Sequence, residues 1–150
     1  MNYPVGHTWT DSDFTMMGWN NTRLYGWVFP GRNHQFLLLL DYTLRNPITD
    51  ESFANYELVP VELAFENVVN LKINLHMENY SEIDIVNIER TNKRLTPNGK
   101  MTYWDYSITL SNEGLISFSA TGYTQKTLSN PVVSETYDLG RESVFTRVNE

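Results

Sequence analysis

The sequence predicts an all-β fold, an antiparallel β-sandwich or barrel of roughly eight strands with a short N-terminal helical turn. Three observations carry this. Leu71-Lys72-Ile73-Asn74-Leu75-His76-Met77 alternates apolar and polar residues, as a strand with one buried face must. Residues 103–110 repeat that period, with Trp104, Tyr106, Ile108 and Leu110 on one face. Further short apolar runs recur between turn signals, whereas helix signals are scarce.

In chain order, Asp11-Ser12-Asp13 offers an N-cap to about one helical turn over residues 14–17, and Gly18 stops it. A first strand then runs from about Thr22 to Phe29 and ends at Pro30-Gly31. Residues 36–44 form a second, ended by Asn46-Pro47. Residues 56–65 form a third; Pro60 cannot donate to a ladder, so this strand is expected at an edge or bent there. Residues 82–88 read as a further strand. Residues 103–110 and 115–120 read as a hairpin closed by Asn112-Glu113-Gly114, with the glycine supplying a positive φ. No repeat, low-complexity tract or linker interrupts the chain, so residues 1–150 are expected to form a single domain with one core.

Charge and composition narrow the function. The first 89 residues carry net −8 and the remainder net +1. Arg90, Lys93, Arg94 and Lys100 cluster around Pro97-Asn98-Gly99, which reads as a solvated hairpin tip; nucleic acid is therefore not an expected partner. An acidic surface suits a basic protein partner. The longest apolar run, residues 36–40, is too short to cross a bilayer, and Met1-Asn2-Tyr3-Pro4 lacks signal-peptide character, so a cytoplasmic protein without membrane association is expected. The absence of cysteine excludes disulfides, thiolate metal sites and a cysteine nucleophile. The sequons at Asn20 and Asn79 then read as chance matches.

"DSDFTMMGWNNTRLYGWVF", the "LLLLDY" strand, "VPVELAFENVVNLKI" and "ISFSATGYTQ" together resemble a family of small bacterial all-β proteins of unknown function. Its pattern opens with Asp-Phe-x-x-Met-x-Trp-His-Asp and continues through Leu-Asp-(Ile or Tyr) and Phe-x-x-Val-x-(Asp or Asn)-Leu. It ends with Gly-(Phe or Tyr)-Thr-Gln. The resemblance spans about residues 11–125 and implies a small all-β cytoplasmic protein with no activity to carry over. This chain departs from it at Asn20-Asn21, where the pattern has His-Asp; a metal or proton-transfer role for that pair would be missing here.

Candidate binding residues follow from placement. Phe14, Met16, Met17 and Trp19 are expected to plug one end of the fold, with Asp11, Asp13, Asn20 and Asn21 as a polar rim. Trp19, Tyr25, Trp27 and Trp104 would line a barrel mouth. Asp41 follows four leucines in a strand with apolar residues on both faces; it is expected to be partly buried, at the sheet's end, held by a loop or by Arg23 or Arg45. His7, His34 and His76 fit no ligand spacing, and neither a nucleophile elbow nor a phosphate-binding loop occurs, so no catalytic residue, metal or cofactor is expected.

The leading expectation is a non-enzymatic protein-binding module of the immunity or antitoxin kind. Exposed acids among Glu57, Glu62, Glu66, Glu78, Glu82 and Asp84 would attract a basic partner. A small-ligand-binding β-barrel is the alternative, and a hydrolase built around Asp41 ranks last. Pairing through an exposed edge strand would give a homodimer.

Overall fold

The computed structural model describes residues 5–29, 34–47, 50–77 and 82–140. Met1-Asn2-Tyr3-Pro4, the turn at Pro30-Gly31, Glu78 and the sequon at Asn79 lie outside the described residues. The strands are β1 (Thr8–Thr10), β2 (Thr22–Val28), β3 (Phe36–Arg45), β4 (Tyr56–Glu66), β5 (Val69–Asn74), β6 (Ile83–Leu95), β7 (Thr102–Leu110), β8 (Leu115–Ala120), β9 (Gly122–Thr127) and β10 (Val132–Ser134). One 3-10 turn, Asp11–Met16, separates β1 from β2.

The antiparallel all-β class is as expected, but the layering differs. Instead of two sheets or a closed barrel of about eight strands, ten strands share one open sheet. Its order is β1-β9-β4-β3-β2-β6-β7-β8-β5, with β10 also on β4. The sheet folds over its own core. Phe65 of β4 lies 5.0 Å from Tyr106 of β7 and 4.7 Å from Phe118 of β8. These rings are edge-on, the arrangement that aromatic quadrupoles favour. Thr121 alone separates β8 from β9, so one bent run joins two strands near opposite ends of the strand order.

β4 is not the edge strand that Pro60 suggested. It pairs with β3 along its length, and on its other side with β10 up to Leu58 and with β9 from Val61. Pro60 sits at that change of partner, and its carbonyl accepts from Leu128 N–H at 2.9 Å. The backbone N and O of a strand residue point the same way, so the missing N–H faces the gap between β10 and β9 rather than a ladder.

Two local readings also change. The 3-10 turn begins at Asp11 with Thr10 as its extended N-cap, because Asp13 reaches back to accept from Thr10 N–H at 2.8 Å. In the β7–β8 hairpin the positive φ belongs to Asn112 and Glu113. Gly114 is required for closeness instead, since a Cβ there would lie 3.1 Å from Leu110 Cβ.

β3 is buried on both faces. Phe36, Leu38, Leu40 and Tyr42 belong to the core, and Leu37, Leu39 and Asp41 alternate with them toward the outer face. The core face carries the N-terminal turn at one end; the outer face carries Asp41.

Candidate functional site

The opening segment packs as a plug whose attachments lie far away in sequence. Trp19 is buried and its indole N–H donates to Gln125 Oε1 at 2.8 Å. Phe14 lies 5.7 Å from Trp19 and 6.2 Å from Tyr123, ring to ring. Gly18 N–H donates to the Tyr42 hydroxyl at 2.9 Å, which in turn approaches Met17 Sδ at 4.0 Å. Asp11 pairs with Arg90, whose guanidinium carbon stands 4.1 Å above the Phe14 ring and 4.2 Å above the Trp104 ring. The pieces "DFTMMGW" and "GYTQ", with Tyr42 of "LDY", therefore meet around one plug.

Three buried polar atoms near this end, Thr22 Oγ1, Tyr123 OH and Gln125 Nε2, have no hydrogen-bond partner among the described residues. Burial pushes the Tyr123 hydroxyl well above the usual phenol range, and the Asp13 charge adds to the shift. Tyr106 is also pushed up by burial, with Arg90 opposing.

Two open hollows flank the turn. One, of about 230 Å³, is lined by Trp9, Met16, Tyr42, Leu44, Arg45 and Glu57 among others. The other, of about 300 Å³, is lined by Phe14, Met17, Trp19, Asn20, Asn87 and Ile88 among others. Met16, 63 % exposed, lies at the rim of the first.

The second constellation lies on the outer face. Asp41 is 0 % exposed in the middle of β3, not at the sheet's end. Its Oδ2 accepts from the Tyr25 hydroxyl at 2.5 Å and from Leu139 N–H at 2.7 Å, and Gly140 N–H donates to the Tyr25 oxygen at 3.1 Å. Arg23 stands directly opposite both Asp41 and Asp84 in the ladders. Its guanidinium pairs with Asp84 at 2.7 Å, Glu82 at 2.9 Å and Asp138 at 3.1 Å. The Tyr137 hydroxyl donates to Asp84 at 3.0 Å.

Burial works against the Arg23 charge, but the bonds to Asp84 and Tyr137 outweigh it and hold the pKa above its ordinary value. Burial, then the bond to Asp41, pushes Tyr25 far above the phenol range. Chemically this is a tether: residues 137–140 are fastened to β2, β3 and β6 through side chains.

The predicted residues therefore divide. Asp11, Asp13 and Trp19 build the plug, and Trp104 covers Arg90 beside it. Asn20 and Asn21 are exposed, and Asn21 makes the turn at φ 58°. Tyr25 leaves the supposed mouth for the outer face, where it meets Asp41; Trp19, Tyr25, Trp27 and Trp104 do not line one opening. Arg23, expected as one holder of Asp41, pairs with Asp84, Glu82 and Asp138, while Arg90, Gln125 and Tyr137 carry contacts that the sequence reading did not assign. For Gln125 the only signal was its place in the Gly-Tyr-Thr-Gln ending. Among the described residues no group of three or more His, Asp or Glu side chains could hold a metal ion, and no helix is long and apolar enough to cross a membrane. The chain matches no family model, no curated protein and no solved structure.

Proposed function

We propose that this protein is a non-enzymatic binding module of the immunity or antitoxin kind, working in the cytoplasm and docking a basic protein through the end that carries the 3-10 turn. The observation behind this reading is the exposed Met16 at the rim of one of the two open hollows that flank the turn, set on a core of interlocked aromatic rings. Hollows this open do not enclose most of a small molecule, as ligand pockets do, but they accept side chains of a facing protein. Glu57 lies in one hollow, and the net charge of −7 draws a basic surface toward it.

The packing weakens the rival readings. Phe36, Phe65, Tyr106 and Phe118 occupy the space between the sheet's two halves, where a barrel carrier would hold its ligand. Asp41 is engaged by Tyr25 and the C-terminal segment, which suits a structural tether rather than a general acid. Of the acids expected to attract a partner, Asp84 is already engaged by Arg23 and Tyr137.

The test is native mass spectrometry of the tagged protein purified gently from its own host, repeated with Met16→Glu. A stoichiometric basic protein retained by the wild type, released by salt and lost in the variant is the expected result. Retention that ignores both salt and Met16→Glu overturns the reading.

A further inference from the structure

The strongest run of positive charge in the chain starts beside the plug at Arg90 and continues along the β6–β7 hairpin. From Arg90 to Tyr103 the chain has four basic residues and no acid, inside a protein of net charge −7. Structurally this stretch is the far end of the β6–β7 hairpin. β2 accompanies β6 only between Ile83 and Ile85, and β8 accompanies β7 only as far as Trp104. Among the described residues, positions 94–103 therefore pair only with each other, as a two-stranded ribbon held to the body by side chains: Arg94 donates to Ser119 Oγ at 3.2 Å and Asn67 Nδ2 approaches Met101 Sδ at 4.0 Å.

The ribbon's tip is built rather than loose. Thr96 N–H donates to Met101 O at 2.8 Å, and Gly99 N–H to Thr96 O at 2.8 Å. The Asn98 side-chain oxygen accepts from the Thr96 hydroxyl at 2.6 Å and from Lys100 N–H at 3.0 Å. With its backbone satisfied internally, the tip presents Leu95, 68 % exposed, and Met101, 43 % exposed, beside Lys93, Arg94 and Lys100. Arg94 shares its charge with Asp105 at 3.0 Å.

A basic ribbon with aromatic residues could in principle stack nucleobases, but its rings are already covered by its own cations. Arg90 stands 4.2 Å and Lys93 5.5 Å from the Trp104 ring, and Arg94 stands 5.8 Å from Tyr103. What remains open is aliphatic. Aliphatic side chains flanked by lysines suit a lipid interface, where the chains enter the acyl boundary and the ammonium groups stay among headgroups.

We propose that the β6–β7 ribbon tip docks on an anionic lipid surface through the face that carries Leu95, with Leu95 inserted and Lys93, Arg94 and Lys100 over the headgroups. The acidic body does not prevent this. At about 0.1 M salt the screening length is about 10 Å, so acids farther than that from the ribbon add little repulsion at the contact, and the repulsion of the body mainly orients the ribbon toward the surface. Each basic residue near such a leaflet strengthens association about fivefold. A surface contact of this kind needs no spanning segment, and it is independent of the partner proposed above.

The test is vesicle flotation of the full chain, using phosphatidylcholine vesicles with and without phosphatidylserine. The wild type is expected to float only with phosphatidylserine present and to release as salt is raised. Leu95→Glu and Lys100→Glu should each weaken binding about tenfold with an unchanged far-ultraviolet spectrum, since both side chains are exposed. Three results overturn the proposal: no flotation at low salt, Leu95→Glu binding as the wild type does, or tighter binding to single-stranded DNA than to the vesicles.

Discussion

The indole N–H of Trp19 and the side-chain oxygen of Gln125 are 2.8 Å apart although 106 positions separate them in the chain. Both residues are buried, so the bond forms out of reach of water and ties the opening segment to β9. Beside it Tyr123 stacks edge-on to Trp19 at 5.5 Å. A plug at the end of a curled sheet needs such a fixed point, because the one short turn it contains has little stability of its own.

Replacing Trp19 with Phe removes the N–H, strands Gln125 Oε1 in the interior and leaves unfilled volume. The two effects together predict a loss of about 2–4 kcal/mol in urea unfolding. A loss below about 1 kcal/mol would show that the bond and the fit around it matter little.

Tyr123 and Tyr42 make a contrasting pair. The Tyr123 hydroxyl is buried with no hydrogen-bond partner among the described residues, whereas the Tyr42 hydroxyl accepts from Gly18 N–H at 2.9 Å. Tyr123→Phe is therefore expected to leave stability unchanged or raise it by up to about 1 kcal/mol, and Tyr42→Phe to lower it by about 1–2 kcal/mol. The comparison needs only two denaturation curves; a marked loss in Tyr123→Phe would mean that its hydroxyl has a partner.

Much of this architecture was legible in the sequence because period and chemistry coincide there. The alternation at Trp104, Tyr106, Ile108 and Leu110 fixes an inner face, and the uninterrupted Leu37 to Leu40 run signals burial on both faces of β3. Pairing is another matter. Pro60 reads locally as an edge signal, and only the arrival of β9 and β10 on the same side of β4 explains how an interior strand tolerates it. The outer-face tether was hidden for the same reason. Arg23, Asp41 and Asp84 lie on three strands, and only their register makes them neighbours.

Alkaline pH should unfold the protein early. Tyr25, Tyr106, Tyr123 and Tyr137 all have pKa values raised above the ordinary 10.0, chiefly by burial for the first three and by Asp84 for Tyr137. Above pH 10 the unfolded chain releases phenolic protons that the folded chain keeps. The unfolded state then binds fewer protons, and stability falls as pH rises. The stabilising contribution is fully present below pH 10 and is lost progressively above it. Urea unfolding followed from pH 8 to pH 12 should show this decline, and a flat profile would contradict the assigned burial.

Asp41→Asn tests the tether. The substitution keeps the shape but removes the charge that holds the Tyr25 hydroxyl and Leu139 N–H. A loss of about 2–4 kcal/mol is expected, as for a buried charged acceptor. Hydrogen exchange at the Leu139 and Gly140 amides should quicken before exchange in β3 does, since the C-terminal segment is held there by side chains. Equal protection in variant and wild type would show that other contacts fasten it.

Gly122 meets Asp11 at the bend between β8 and β9. A Cβ built on it would lie 3.2 Å from Asp11 Oδ1 and 3.3 Å from Asp11 Cγ, too close unless Asp11 gives way. Asp11 has little freedom to do so, because Arg90 holds its carboxylate and is itself gripped between Phe14 and Trp104. Gly122→Ala should therefore cost about 1–3 kcal/mol through crowding and through its φ of 156°. In the Asp11→Ala background the carboxylate's share of the crowding is gone, the Cβ contact at 3.3 Å stays, and the backbone demand remains. The second cost should then be smaller than the first by about 1 kcal/mol, a coupling that a double-mutant cycle reads directly. Additive costs would mean that the glycine serves the bend alone and that Asp11 moves aside without consequence.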